Sequence, residues 1–278
     1  MKILAPLSGM RLPSRRGLKR FVKKAAPAAL LIYLIPYVMA GYFVCGLLDF
    51  LRNTQRTLPT FERYFVGNGF FTWLLSPFNL LLDLLCLPYR NRGVYQFADL
   101  PKAYQAEIAT MIEAAHRGDL VNKLQAKLGD AKRGMIFFKW YGKNVDTTVE
   151  MPAFHQNFKY IRTIGVSIFN TKSSTAKHFG PLRITLRLLY NINDITSRDV
   201  YIQVGKHANH WCDNKLFIFD DTLEHQSCNQ SDEVRYCLFV DILRPSIMPG
   251  VLRGILGCVR FGMARCNAIF YKHWTFMK

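Results

Sequence analysis

Between Gly134 and Ile242 short runs of β-branched and aromatic residues alternate with turn residues, and this rhythm constrains the fold more than anything else in the chain. Met135–Tyr141, Ile161–Phe169, Leu182–Leu189, Asp199–Val204, Lys215–Phe219 and Val234–Ile242 all read as strands. Many short strands closing on themselves predict a mainly β domain of jelly-roll (double-stranded β-helix) type. Ahead of it, helical spacing over Leu100–Arg117, opened by Pro101, and over Asp119–Leu128 predicts two flanking helices.

Two polar motifs interrupt the apolar rhythm. His178-Phe179-Gly180-Pro181 is followed nine residues on from its histidine by Arg187. Phe219-Asp220-Asp221-Thr222-Leu223-Glu224-His225 is followed ten residues on by Arg235. Two imidazoles brought together by a sheet can hold a divalent transition metal with positions left open. An arginine inside an apolar strand, as Arg235 is in Val234–Val240, demands an anion, and its planar fork suits a carboxylate. Iron with a dicarboxylate cosubstrate, 2-oxoglutarate, is the first chemistry to test. His207-Ala208-Asn209-His210 falls in an expected turn, where the i, i+3 spacing of its histidines has no helical meaning, and reads as structural.

The two motifs in order resemble the aspartyl/asparaginyl β-hydroxylase family of iron(II)/2-oxoglutarate oxygenases, in particular its bacterial membrane branch, the lipid A 2-hydroxylases. That pattern is His-x-(Gly/Asp)-Pro, an arginine nine residues later, Phe-Asp-(Asp/Glu)-x-x-x-His, and an arginine ten residues after that. Phe138-Lys139-Trp140-Tyr141-Gly142 is similar to the branch's Lys-Trp-Tyr-Gly segment, and the resemblance covers roughly residues 78–248. It implies a double-stranded β-helix, Fe(2+) held by His178 and His225, and 2-oxoglutarate as cosubstrate with O2. It further implies that Arg235 binds the distal carboxylate of the cosubstrate, assisted by Ser167. Arg187 would lie near the proximal carboxylate or the substrate, and Trp140 would wall the pocket. Two departures stand out. Gly180 replaces the carboxylate of the usual facial triad, as in the aspartyl hydroxylases. Leu189 stands where the family has a histidine, which leaves a non-catalytic β-domain binding lipid or protein as the alternative from another class. Asp220 and Asp221 read as groups that cap the turn and orient His225.

Outside this region the chain is apolar and basic. Its formal charge is +18, which calls for an anionic partner; no nucleic-acid motif is present, and the basic residues flank apolar segments. Pro27–Leu48 holds no charged residue and is long enough to cross a bilayer, and Phe65–Leu87 is a second apolar run broken by Pro77. Eight Lys/Arg precede the first run and only Arg52, Arg56 and Arg63 lie between the two, so charge bias predicts a cytoplasmic N-terminus and a membrane hairpin that returns the catalytic domain to the same side. Ile242–Lys278 holds six Lys/Arg and no acid, as an amphipathic tail on anionic lipid would. The expected organisation is a basic arm (1–26), membrane-anchoring helices (27–88), an oxygenase domain (89–248) and a basic amphipathic tail (249–278), located at the cytoplasmic face of the inner membrane. Seven scattered cysteines without Cys-x-x-Cys read as reduced thiols. The substrate expected from these features is an acyl chain of lipid A or another anionic lipid, with a protein side chain as the alternative.

Overall fold

The computed structural model describes residues 23, 25–30, 32, 33, 35–128, 132–265 and 275–276. Its strands are β1 (Val94–Tyr95), β2 (Arg133–Trp140), β3 (Lys143–Asn144), β4 (Ile161–Phe169), β5 (Ser173–Ser174), β6 (Thr185–Asn191), β7 (Val200–Val204), β8 (His207–His210), β9 (Leu216–Phe219), β10 (His225–Asn229), β11 (Arg235–Leu243) and β12 (Thr275–Phe276). The larger sheet has the order β1-β9-β6-β11-β4-β2-β12, with β3 on β2, and the smaller the order β5-β10-β7-β8. From β4 to β11 the antiparallel pairing is nested: β4 with β11, β5 with β10, β6 with β9 and β7 with β8. Eight strands so paired over two sheets form a jelly roll.

The six expected strands are β2, β4, β6, β7, β9 and β11. All but β7 lie in the larger sheet, which is covered on both faces, and this turns alternation into continuous apolar runs. On one face Ile164, Val166, Leu186, Leu188, Leu238 and Val240 pack against the helices Lys102–Arg117 and Leu120–Leu128. The first of these helices buries Tyr104, Ile108, Met111 and Ala115, a stripe at helical spacing. On the other face Leu189, Phe217, Phe219 and Cys237 meet Val200, Ile202 and Val204 of the smaller sheet. At Gly165 a Cβ would lie 2.7 Å from the Ile136 carbonyl and 2.8 Å from the Phe137 ring. Only glycine lets β4 approach β2 beside the register shift between Phe137 and Lys139.

Residues 36–88 depart from expectation. They form four short helices: Pro36–Phe50, Leu58–Phe65, Phe70–Leu74 and Ser76–Leu85. Pro36, Pro59 and Pro77 each stand in the first turn of their helix, and Gly67 and Gly69 separate the second from the third. The longest has 15 residues, about 22 Å at the helical rise and short of a ~30 Å hydrocarbon core. Among the described residues no helix is long and apolar enough to cross a membrane. The segment folds onto the β-domain: Leu82 and Cys86 pack with Ile184 and Leu243, and Tyr64 and Phe65 with Phe179. It also leaves much apolar surface open, with Tyr37, Val38, Phe43, Val44, Leu48, Leu81 and Leu84 all exposed. The tail begins as the helix Pro249–Arg265, docked on the same layer through Leu252 and Leu256. Most of the expected arm, and residues 266–274, 277 and 278, lie outside the described residues. The six cysteines that are described are unpaired.

Candidate metal centre

Period two along three strands of the larger sheet builds one wall of the site. Since Ile164, Val166, Leu188, Leu238 and Val240 face the helices, Ser167 and Phe169 of β4, Arg187 and Leu189 of β6, and Arg235 and Phe239 of β11 face the smaller sheet. Register then pairs Arg235 with Phe169, Cys237 with Ser167, Phe239 with Leu189 and Asp241 with Arg187. The opposite wall comes from Thr175, Ile202 and Ser227, and a cavity of about 50 Å³ lies between them.

His178 and His225 stand at one end of this cavity. They form an antiparallel bridge, with His178 N donating to the His225 carbonyl (3.0 Å) and His225 N to that of His178 (2.9 Å). The ring centroids are 4.1 Å apart. Each Nδ1 meets a carbonyl two residues back, Ala176 at 2.8 Å and Leu223 at 2.9 Å. A carbonyl can only accept, so each Nδ1 carries the proton and each Nε2 keeps its lone pair. Burial lowers the pKa of His178, against the pull of the Ala176 carbonyl; burial, then the neighbouring His178, lowers that of His225 well below the ordinary value. Two neutral imidazoles of fixed tautomer are what a metal requires of its ligands. Among the described residues no third His, Cys, Asp or Glu joins them as a ready-made cluster.

Arg235 lies further along the same cavity. It is 1% exposed, its guanidinium stacked 4.2 Å over the Phe169 ring and 5.6 Å from that of Trp211. Nη2 donates to Ser167 Oγ at 3.3 Å, while Nε and Nη1 are buried without a partner. Burial lowers its pKa. Arg187, by contrast, is committed: Nε donates to Asp241 at 2.7 Å and Nη2 to Asp221 at 2.9 Å, with the Phe239 ring 3.8 Å beneath it. It lines the cavity while anchoring two carboxylates.

Asp221 explains the departure at Gly180. A Cβ at position 180 would lie 2.5 Å from the Asp221 carboxylate, and Gly180 N donates to the Asp221 carbonyl at 2.6 Å. The space where a side chain of residue 180 would begin is filled by a carboxylate from the other motif. Burial, opposed by Arg187 and reinforced by Asp241 and Asp220, pushes its pKa up to about 7. Asp220 behaves oppositely: burial alone would raise it, but Arg52 and Arg183 hold it below the usual carboxylate range.

Trp140 does not line this cavity. It ends β2, beyond β4 from the site, and stacks edge-on against Phe137, which in turn meets the cavity-lining Phe239. Leu189 is buried at the cavity wall and puts an apolar side chain there alongside the polar Arg187 and Ser167. His207 and His210 lie on β8, at the edge of the smaller sheet, with His210 Nδ1 against the Arg198 carbonyl and neither in the site. The expected turn there is an edge strand.

Sequence reasoning missed the segment that holds both histidine loops. On the His178 side Asn68 donates to the Lys177 carbonyl (2.6 Å), Thr72 to that of Gly180 (2.9 Å) and Asn79 to that of Pro181 (3.1 Å). On the His225 side Arg52 donates to Asp220 (2.7 Å), Arg63 and Thr60 to Glu224 (2.6 and 3.2 Å), and Asn53 accepts from Glu224 N. Beneath them Arg183 joins Asp49, Asp83 and Asp220. The signal available was chemical: Asp49 and Asp83 are lone acids beside or within apolar runs, and such acids must find partners.

Residues 104–245 match the Aspartyl/Asparaginyl beta-hydroxylase family. The chain belongs to this family. Over 95 residues it is 34% identical to an ornithine lipid ester-linked acyl 2-hydroxylase from Rhizobium tropici, a match covering 34% of each protein; the chain thus spans about a third of that relative's length. Distant likenesses of fold include an oxidoreductase of the 2OG-Fe(II) oxygenase family from Burkholderia pseudomallei (13% identity, 48% of this chain and 80% of that one, TM-score 0.32). A salicylate 1,2-dioxygenase variant from Pseudoaminobacter salicylatoxidans is another (8% identity, 50% and 32%, TM-score 0.28).

Proposed function

We propose that this family member is an iron(II)/2-oxoglutarate-dependent hydroxylase acting at C2 of an acyl chain of an anionic membrane lipid, lipid A in the first instance. The observation that carries the cosubstrate is Arg235: a fully buried guanidinium with two unpartnered nitrogens, in the same cavity as two neutral imidazoles. An unpaired buried charge is costly, and a carboxylate from outside the chain relieves it. His178 and His225 would hold the metal through Nε2. Iron would supply the activation of dioxygen for insertion into a C–H bond. The chain's own residues bind, orient and exclude water: Arg235 clamps the distal carboxylate, Ser167 fixes one edge of the guanidinium, and Phe169, Leu189, Phe219 and Phe239 keep the cavity apolar. Asp221, held by Arg187, fills the space where a side chain of residue 180 would begin.

The acyl-lipid substrate is supported by the lipid-hydroxylating relative, by the exposed apolar helices and by the charge of +18. The ornithine-lipid relative makes a phosphate-free lipid the nearest competing substrate. A protein side-chain hydroxylase is the second reading, favoured by Gly180. The reading places the protein at the cytoplasmic face of the inner membrane, on the charge bias around residues 27–48. Mass spectrometry of total lipids with and without the protein tests it: an acyl species heavier by about 16 Da, one inserted oxygen, is expected in lipid A. The same increment in ornithine lipid, or in a protein aspartate or asparagine, selects the alternatives, and its absence from all three rejects the reading. With the purified protein, His178→Ala or His225→Ala should abolish metal retention and turnover together, whereas His207→Ala should leave both intact.

A further inference from the structure

Two cavities away from the metal centre share the walls Asn91 and Arg92 and together form a basic groove. The larger, about 610 Å³, is also lined by Arg90 and Arg244, and the smaller, about 290 Å³, by Arg52 and Arg56. Five arginines face a single lining carboxylate, Asp99, which pairs with Arg92. Arg56 reaches only the Asn53 and Leu51 carbonyls, and Arg90 is exposed with no partner among the described residues. The two arginines at the base each keep a donor that makes no hydrogen bond. Arg244 is 1% exposed and pairs with Asp83 through Nη1, yet its Nε has no partner; Arg52 holds Asp220 through Nη2, and its Nη1 makes no hydrogen bond but lies 3.8 Å from Asp49.

The rim of the groove is apolar. Leu51 and Tyr89 line it and are 49% and 42% exposed, Leu87 precedes it at 48%, and Ile247 and Met248 follow Arg244-Pro245 at 67% and 41%. Guanidinium forks match the oxygens of a phosphate group, and an apolar rim suits acyl chains. We infer that this groove binds a phosphate ester, that of an anionic lipid headgroup, with the acyl chains leaving along the exposed helices. The inference stands apart from hydroxylation, because the groove would hold such a lipid whether or not the metal centre turns over. Its base touches the catalytic loop through the Arg52–Asp220 pair, so headgroup binding and the setting of the His225 loop share a residue.

The test is vesicle flotation of the full chain purified in detergent. Phosphatidylcholine vesicles doped with phosphatidic acid are compared with vesicles doped with cholesteryl hemisuccinate, which is anionic but carries no phosphomonoester. Wild type should prefer the phosphatidic acid vesicles. The pair Arg56→Gln/Arg90→Gln should lose roughly tenfold on them and lose the preference. The pair Lys102→Gln/Lys123→Gln, which removes the same charge from the helices on the larger sheet, should keep it. Calorimetric titration with inorganic phosphate separates the sources: uptake abolished by Arg56→Gln/Arg90→Gln, with no vesicle preference, assigns a free phosphate. The inference is overturned if the two pairs lose equally, if the arginine pair loses nothing, or if wild type neither prefers phosphatidic acid nor takes up phosphate.

Discussion

Arg183 and Arg235 are both 1% exposed, and the chain treats them in opposite ways. Arg183 is met by Asp49, Asp83 and Asp220, and Thr222 accepts from its Nε at 3.3 Å. Arg235 meets no carboxylate, only Ser167 and two aromatic faces. The first is a saturated network that ties the N-terminal helices to the His225 loop. The second is a cation buried at a cost that nothing among the described residues repays, which is the mark of a ligand site and not of a structural pair.

The largest expected effect breaks this comparison directly. Arg183→Met takes the shared cation away from three carboxylates, the buried Asp49 and Asp220 among them, and should cost roughly 3–5 kcal/mol in denaturant unfolding. Arg235→Met removes an unsatisfied charge and should leave the metal-free protein as stable as wild type or more so. Equal losses in the two variants would erase the distinction. Next in size is the separation of charge from shape: Arg235→Lys should weaken 2-oxoglutarate binding less than Arg235→Met, because lysine keeps the charge and loses the fork. Rank reversal in KM for the cosubstrate would argue against carboxylate recognition there.

The smallest effect concerns Asp221. Its carboxyl titrates near 7 in the folded chain against 3.8 for a free carboxyl, so the fold holds a proton that the unfolded chain has released. Stability from this group is complete below about pH 4 and falls as pH rises towards 7. Asp221→Asn should remove that slope from the metal-free protein in unfolding midpoints measured across the window. An unchanged slope would place the responsible group elsewhere.

What the sequence disclosed follows from the same contrast between local and distant chemistry. β4, β6 and β11 were legible because burial on both faces writes them as long apolar runs, whereas β5, β8 and β10 are short and polar, Ser173–Ser174, His207–His210 and His225–Asn229, and carry no such run. His178, His225 and Arg235 were legible because fixed spacing along strands carries them into one cavity. Trp140 stands on a strand beyond β4, a placement that a matching sequence segment does not disclose. Hydropathy registers the apolar residues of 36–85 but not where the chain divides, and prolines and glycines divide it into four helices, none long enough to cross a membrane. Partners such as Asp49–Arg183 and Arg52–Asp220, 134 and 168 residues apart, leave no local pattern at all.

The central claim is that Arg235 awaits a carboxylate that arrives with metal at the two histidines. Calorimetric titration of 2-oxoglutarate into the full chain loaded anaerobically with manganese(II), a redox-quiet stand-in, tests it most directly. The account predicts binding at one equivalent, weakened roughly tenfold to a hundredfold by Arg235→Met and lost with His178→Ala or His225→Ala. No binding to wild type, or equal binding to wild type and Arg235→Met, would contradict it.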